Sequence, residues 1–370
     1  MIIKNGNVYS DEFKFQKRNI AIENGRIAEP SRGGEILDAE GLYVIPGLID
    51  QHSHGCLGGD WGDGNVEDMG KMAEYYARNG VTSVAATVTT LKPEDVEAAM
   101  RAIKTFGGQK RRGAAVRGIN LESMFLSKAK KGAHLEEYLR LPDKALTERL
   151  DDASGGLLRI VNVAPELEGA MDFIRDMSKR YVISIAHTAA DYSTALEAER
   201  AGAVQVTHFF NAMSSFLHRD PGVPGAVFDS GLRAELICDG VHVHPAVIRT
   251  VFRLMADRVI MISDSIRACG LADGEYILGD LPVTVKGKRA TLRDGTIAGS
   301  CACLMDDLRS AVSFGVPLEQ AVRAATLNPA RTLGIDDRVG VIANGYEADI
   351  VLLDSALNVK GVFIGGERIV

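Results

Sequence analysis

Two histidines spaced by two, His52 and His54, close the apolar run YVIPGLIDQHSH (43–54). On a β-strand such a pair points to one face, so a single divalent cation can take both imidazoles. Glu122, His187, His208 and Asp264 close four further apolar runs. His187 and His208 end neighbouring runs and suit a second cation, with Glu122 placed to bridge. Imidazole with carboxylate suits zinc, and also iron, manganese or cobalt. A divalent metal lowers the pKa of a water it holds from about 15.7 to roughly 7. Asp264 then stands as general base, taking the water proton and returning it to a leaving group, a transfer worth about 10²–10⁴-fold. Polarisation of a carbonyl oxygen stabilises the tetrahedral oxyanion at the same time. The combination describes hydrolysis of an amide or a related bond.

Singly, each residue has a plainer reading. An isolated His-x-His is more often structural, and a strand-end aspartate such as Asp264 usually caps the next helix. His208 reads equally as a satisfied core histidine, and Glu122 as half of a salt bridge. Their shared position decides the matter. Eight short apolar, β-branched runs recur at 43–54, 80–89, 114–123, 157–166, 182–188, 203–212, 233–240 and 258–265. Amphipathic stretches such as 67–80 and 191–202 separate most of them. Continuous apolar strands alternating with helices imply a parallel sheet covered on both faces, and eight units imply closure into a (β/α)8 TIM-type barrel. Carboxyl strand ends converge on one mouth of such a barrel, and all six residues fall there.

The chain ends differ in style. Residues 1–45 and 341–370 read as short strands with turns, which predicts a small β-sandwich-like domain assembled from both ends around a barrel of 46–340. A β-rich insert, 274–300, follows the eighth run and is expected as hairpins near the mouth. With 46% apolar and 25% charged residues, the composition is that of a globular protein. A formal charge of −7 argues against a nucleic-acid or membrane-surface partner, though not against a small anionic substrate beside metal ions. No leader-like N-terminus and no run of about 18 apolar residues is present. The five cysteines are odd in number, which fits a reduced, cytoplasmic thiol set.

The stretch PGLIDQHSHG (46–55) resembles the opening of the amidohydrolase superfamily barrel. Over nearly its whole length the chain is similar to the N-acetylglucosamine-6-phosphate deacetylases of that superfamily, through KKGAH (130–134), APE (164–166), AHTAADY (186–192), THFFNAM (207–213), HRDPGVPGAVFD (218–229), ICDGVHVHP (237–245), ISDS (262–265), AGS (298–300) and NPAR (328–331). THFFNAM and DGVHVHP are the specific ones. The resemblance implies hydrolysis of the N-acetyl amide of an amino sugar 6-phosphate to the free amine and acetate. It assigns Glu122, His187 and His208 as main metal ligands, and His52 and His54 to a second metal that some members lack. One or two divalent ions per subunit, zinc first, are therefore expected. Asp264 matches the acid/base. His134, Asn211 with the backbone of Ala212, Arg219 and His242 match sugar and phosphate contacts. A partner subunit supplies some phosphate contacts in the family, which implies a homodimer. Arg219 also has the planar fork that suits phosphate.

Where members read Glu-Gly-Pro-Phe after the metal-binding glutamate, this chain reads Glu122-Ser123-Met124-Phe125. Ser and Met remove a permissive glycine and a fixed proline φ beside a ligand. Ile266 to Cys269 and Gly299 to Met305 also depart from the small and hydroxyl residues expected. Met305 is placed with the candidate substrate contacts, while Cys269 and Cys303 read either as pocket lining or as small core fillers. These departures raise two alternatives: an amidohydrolase with a reshaped pocket, acting on another acylamino sugar or a cyclic amide, and a non-catalytic metal-binding sugar-phosphate sensor. The intact Asp264 speaks against the sensor.

Overall fold

In the computed structural model, which describes residues 1–30, 34–109 and 112–370, eight parallel strands form one sheet: β1 (Leu48–Ser53), β2 (Val81–Val88), β3 (Ala115–Leu121), β4 (Leu158–Val163), β5 (Val182–Ile185), β6 (Ala203–Val206), β7 (Arg233–Ile237) and β8 (Val259–Ile262). Each pairs with the next in chain order. The ring closes just past the last strand, where Ser53 bridges Ser265 and the Asp264 amide donates to the His52 carbonyl at 2.9 Å. Every expected run contains one of these strands. The side chains of β2 and β8 are buried on both faces, which is why these strands read as continuous apolar runs rather than alternating ones.

Helices pack around the ring and start where side chains cap them. Asn65 accepts from the amides of Glu67 and Asp68 ahead of Val66–Arg78, and Asp191 accepts from Thr194 ahead of Tyr192–Ala201. The barrel interior departs from the usual filling of branched apolar side chains. Gln51, Asn120, Asn162, Ser184, Gln205, Thr207 and Glu235 are buried and hydrogen-bonded to one another or to strand carbonyls. Polar groups in that position are tolerable only when partnered.

Strands Ile2–Tyr9, Phe15–Glu23, Arg26–Ala28, Ile36–Asp38 and Tyr43–Pro46 join Ile350–Leu353, Val359–Ile364 and Glu367–Arg368 in a second, mixed sheet built from both chain ends. Its own apolar cluster includes Ile3, Val8, Ile20, Val44, Ile350 and Phe363. The insert forms a four-stranded antiparallel sheet, Gly274–Leu278, Leu281–Lys286, Arg289–Thr291 and Ile297–Ser300. No helix among the described residues is long and apolar enough to cross a membrane.

Candidate metal centre and active-site cavity

Strands β5, β6 and β8 stop at Ile185, Val206 and Ile262, and the second residue beyond each is His187, His208 and Asp264. All three hold left-handed backbone, with φ of 42°, 28° and 49°. For residues with a Cβ this costs about 1–3 kcal/mol each and persists only where the surroundings enforce it. The same turn, made at three strand ends, directs three reactive side chains toward one point. His52 lies within β1, His54 just beyond it, and Glu122 just beyond β3.

Glu122 is the hub. Its Oε1 lies 3.2 Å from His187 Nε2 and 2.8 Å from His208 Nε2, and its Oε2 lies 3.3 Å from His52 Nε2 and 3.1 Å from His54 Nε2. Asp264 Oδ1 stands 3.4 Å from His52 Nε2 and 3.3 Å from His54 Nε2. Two donor groups result, His52–His54–Glu122–Asp264 and Glu122–His187–His208, both buried and both containing Glu122.

The outer nitrogens say which atoms face inward. His187 Nδ1 is 2.8 Å from the Lys130 carbonyl, so Nδ1 carries the proton and Nε2 offers a lone pair. His52 Nδ1 is 2.9 Å from Glu235 Oε2 and reads the same way. His187 Nε2 nevertheless sits 3.1 Å from His208 Nε2 with a carboxylate beside both. Lone pairs and carboxylate oxygens packed this closely call for positive charge among them. Without a metal, protons must supply it. Burial pushes the His54 imidazole down, yet Asp264 and Glu122 carry it up to about 9. Burial likewise raises the Asp264 carboxyl, but His52 and His54 hold it at about 2. The residues fit a divalent cation, which would take the place of those protons, and the carboxylate behind His52 and the carbonyl behind His187 are the usual support of such a centre.

The centre forms the floor of a cavity of about 520 Å³, within the range of small-molecule sites. His134, Asn211, Ala212 and His242 line it, together with Lys128, Lys130 and Lys131 and with Leu278, Asp294, Thr296, Ile297 and Gly299 of the insert sheet. His134 is held by Thr90 Oγ1 at 2.7 Å from its Nδ1, and burial with the neighbouring His187 keeps its imidazole well below the usual range. Gly132 packs against His187 at φ +53°, and a Cβ there would lie 3.1 Å from His187 Cε1.

Two of the expected substrate contacts lie elsewhere. Met305 sits in the first turn of helix Leu304–Ser313, fully buried within the barrel's apolar cluster. That helix buries Leu304, Met305 and Leu308 together, which turns Met305 into the core. Arg219 is exposed, hydrogen-bonded to His218 at 2.7 Å, and absent from the cavity wall of its own chain. Four of the residues that depart from the family pattern also avoid the cavity. Ser123, Met124, Cys269 and Cys303 are buried and none lines it. Met124 packs in the main core, and Ser123 Oγ donates to the Thr89 carbonyl at 3.3 Å.

Sequence reading missed Glu235 and Thr90. Glu235 was visible only as a lone carboxylate within the apolar run of β7, and Thr90 carried no signal.

A family model described as the amidohydrolase family matches residues 43–369. The N-acetylglucosamine-6-phosphate deacetylase of Bacillus subtilis is 36% identical, over 96% of this chain and 90% of that one. The N-acetylgalactosamine-6-phosphate deacetylase of Escherichia coli O157:H7 is 35% identical, over 89% and 88%. The crystal structure of N-acetyl-D-glucosamine-6-phosphate deacetylase from Mycobacterium smegmatis superposes with a TM-score of 0.92 at 32% identity, covering all of both chains.

Proposed function

The chain belongs to the amidohydrolase family, and on that premise we propose that it hydrolyses the acetamide of N-acetylglucosamine 6-phosphate, releasing acetate and glucosamine 6-phosphate. The observation that carries the reading is spatial: the buried His–Glu–Asp centre floors the same cavity whose walls present His134, Asn211, Ala212 and His242.

Glu122, His187 and His208 would hold one divalent ion, zinc first, and His52, His54, Glu122 and Asp264 a second, and such ions would supply Lewis acidity for a water and the amide carbonyl. The protein's own groups do the rest. Asp264, ionised and walled in by burial, accepts a proton from the attacking water as the C–O bond forms. It then delivers that proton to the amide nitrogen as the C–N bond breaks, so the amine leaves neutral. His134, kept neutral, is suited to hydrogen bonding with the sugar or the acyl oxygen rather than to charge pairing. Asn211, Ala212 and His242 take the remaining polar groups of the sugar phosphate.

The test is acetate release from N-acetylglucosamine 6-phosphate, its galacto epimer and both unphosphorylated sugars, each with and without chelator. The expected result is chelator-sensitive turnover of a 6-phosphate, with the unphosphorylated sugars about tenfold or more less efficient. The galacto epimer is the second reading, favoured by the similarity to the N-acetylgalactosamine-6-phosphate deacetylase of Escherichia coli O157:H7. No acetate from any of the four with metal bound would overturn both.

We infer in addition that the protein works as a cytoplasmic homodimer. The five cysteines are all free. Beside Arg219, Phe216 and Leu217 are each 55% exposed, an apolar surface suited to a second copy. In that arrangement Arg219 serves the neighbouring subunit's cavity. Arg219→Ala should then raise KM for the 6-phosphate while sedimentation still reports a dimer. A monomeric wild-type protein would remove this part of the reading.

A further inference from the structure

His242 carries a fixed proton. Its Nδ1 lies 2.8 Å from Asp239 Oδ2, with both side chains almost wholly buried. The other carboxylate oxygen, Oδ1, accepts from the backbone amides of Val241 at 2.8 Å and His242 at 2.9 Å. Asp239 therefore has both oxygens engaged, and the loop after β7 is wound around it. The opposite ring nitrogen, Nε2, is buried and has no hydrogen-bond partner among the described residues, although the ring lines the cavity. A buried ring nitrogen left unpaired is costly, and here the cavity is where a partner would come from.

We propose that Asp239 is the positioning residue for phosphate selectivity, holding His242 with Nδ1 protonated and Nε2 turned to the cavity, so that the ring binds the substrate's phosphate as an imidazolium. This rests on the amino sugar 6-phosphate reading above. A neutral imidazole whose Nδ1–H goes to Asp239 presents only a lone pair at Nε2, which repels an anion. Taking a second proton converts that lone pair into a charged donor, and the Asp239 carboxylate stabilises the resulting cation from behind. The buried His242 would thus lie between two anions, one from the protein and one from the substrate. Asp239 touches neither substrate nor metal group in this arrangement and acts through His242 alone.

Asp239→Asn tests the idea with little change of shape. The amide oxygen can still accept from Val241 and His242, so the turn survives, but the amide nitrogen now donates toward Nδ1. The ring is driven to the neutral form protonated at Nε2, which keeps a donor but loses the charge. The expected result is a rise in KM for the 6-phosphate of about tenfold to hundredfold, with kcat within about threefold and metal content unchanged. The preference for phosphorylated over unphosphorylated sugar should fall by the same factor as KM rises. His242→Gln should give a similar loss, and the double variant should be no worse than either single one. Equal losses on phosphorylated and unphosphorylated sugars, or additive effects in the double variant, would overturn the proposal and leave Asp239 a turn-former. If the wild-type protein itself showed no preference for the phosphorylated sugar, the reading on which the proposal rests would fail first, so the two failures are separable. Should Asp239→Asn fold poorly by circular dichroism, Asp239→Ser takes its place: the hydroxyl can still accept from the loop amides but carries no charge behind the ring, so the same loss of phosphate preference is expected, and an unchanged preference would overturn the proposal.

Discussion

Asp264→Asn is expected to lower kcat by about 10²–10⁴-fold or more while the protein still binds metal and substrate. Asp264 occupies left-handed backbone at φ 49°, beyond the end of β8, with its amide tied to the His52 carbonyl and its own carbonyl accepting from Ser300. Asparagine tolerates that conformation better than almost any residue with a Cβ, so the turn and its aim persist. The amide oxygen keeps a ligand atom near His52 and His54. What disappears is the ability to receive a proton. The group Glu122–His187–His208 does not include Asp264, so at least that part of the metal centre should fill normally. Metal analysis and substrate-binding calorimetry beside steady-state rates check the claim. A metal-loaded Asp264→Asn protein retaining more than about a tenth of wild-type kcat would remove Asp264 as the proton carrier. Unaltered ligand binding by a wild-type protein with no turnover at all would instead favour a sensor.

How much of this is legible in the sequence depends on whether a residue's direction is set locally. His52 and His54 were legible because a spacing of two on a strand shares a face whatever surrounds it. Glu122, His187, His208 and Asp264 were legible because each follows an apolar run, and a parallel barrel gathers such ends. Glu235 was not, because β7 is buried on both faces for most of its length, and alternation then gives no sign of which side chains enter the barrel. Thr90 finds His134 across 44 positions of sequence, a pairing only tertiary packing creates. Met305 went astray for a different reason. The register of helix Leu304–Ser313, which starts after Cys303, decides which residue faces the core, and nothing upstream marks that start. Ser123 and Met124 looked like changes to the pocket because they adjoin Glu122. Ser123, next to Glu122, points away from it and donates to the Thr89 carbonyl, while Met124, past the end of β3, packs in the main core, so only Glu122 faces the centre. Asp239 was open to local reading, three residues before His242, but a turn-forming aspartate and a histidine partner look alike in sequence.

Glu122→Gln is expected to empty both metal groups together, and with them all turnover. Four imidazoles surround this one carboxylate, two on each oxygen at 2.8 to 3.3 Å. Burial alone would raise the Glu122 carboxyl, but those histidines hold it well below the ordinary range, so it stands there as an anion. Glutamine keeps the shape and one oxygen, and replaces the other with a donor. Whichever way the amide turns, one group loses its acceptor and the NH₂ faces imidazole lone pairs, while both groups lose the negative charge that offsets a dication. Leaving buried partners uncompensated is destabilising by about 3–5 kcal/mol, so the metal-free protein should also melt at a lower temperature. His54→Ala is the contrast, since His54 belongs to only one of the two groups. It should cost the metal of that group and leave the Glu122–His187–His208 ion in place. Elemental analysis of the purified variants after exhaustive dialysis separates the cases. One full equivalent of metal retained by Glu122→Gln would mean the two groups do not share their anion, and the bridging role of Glu122 would have to be abandoned.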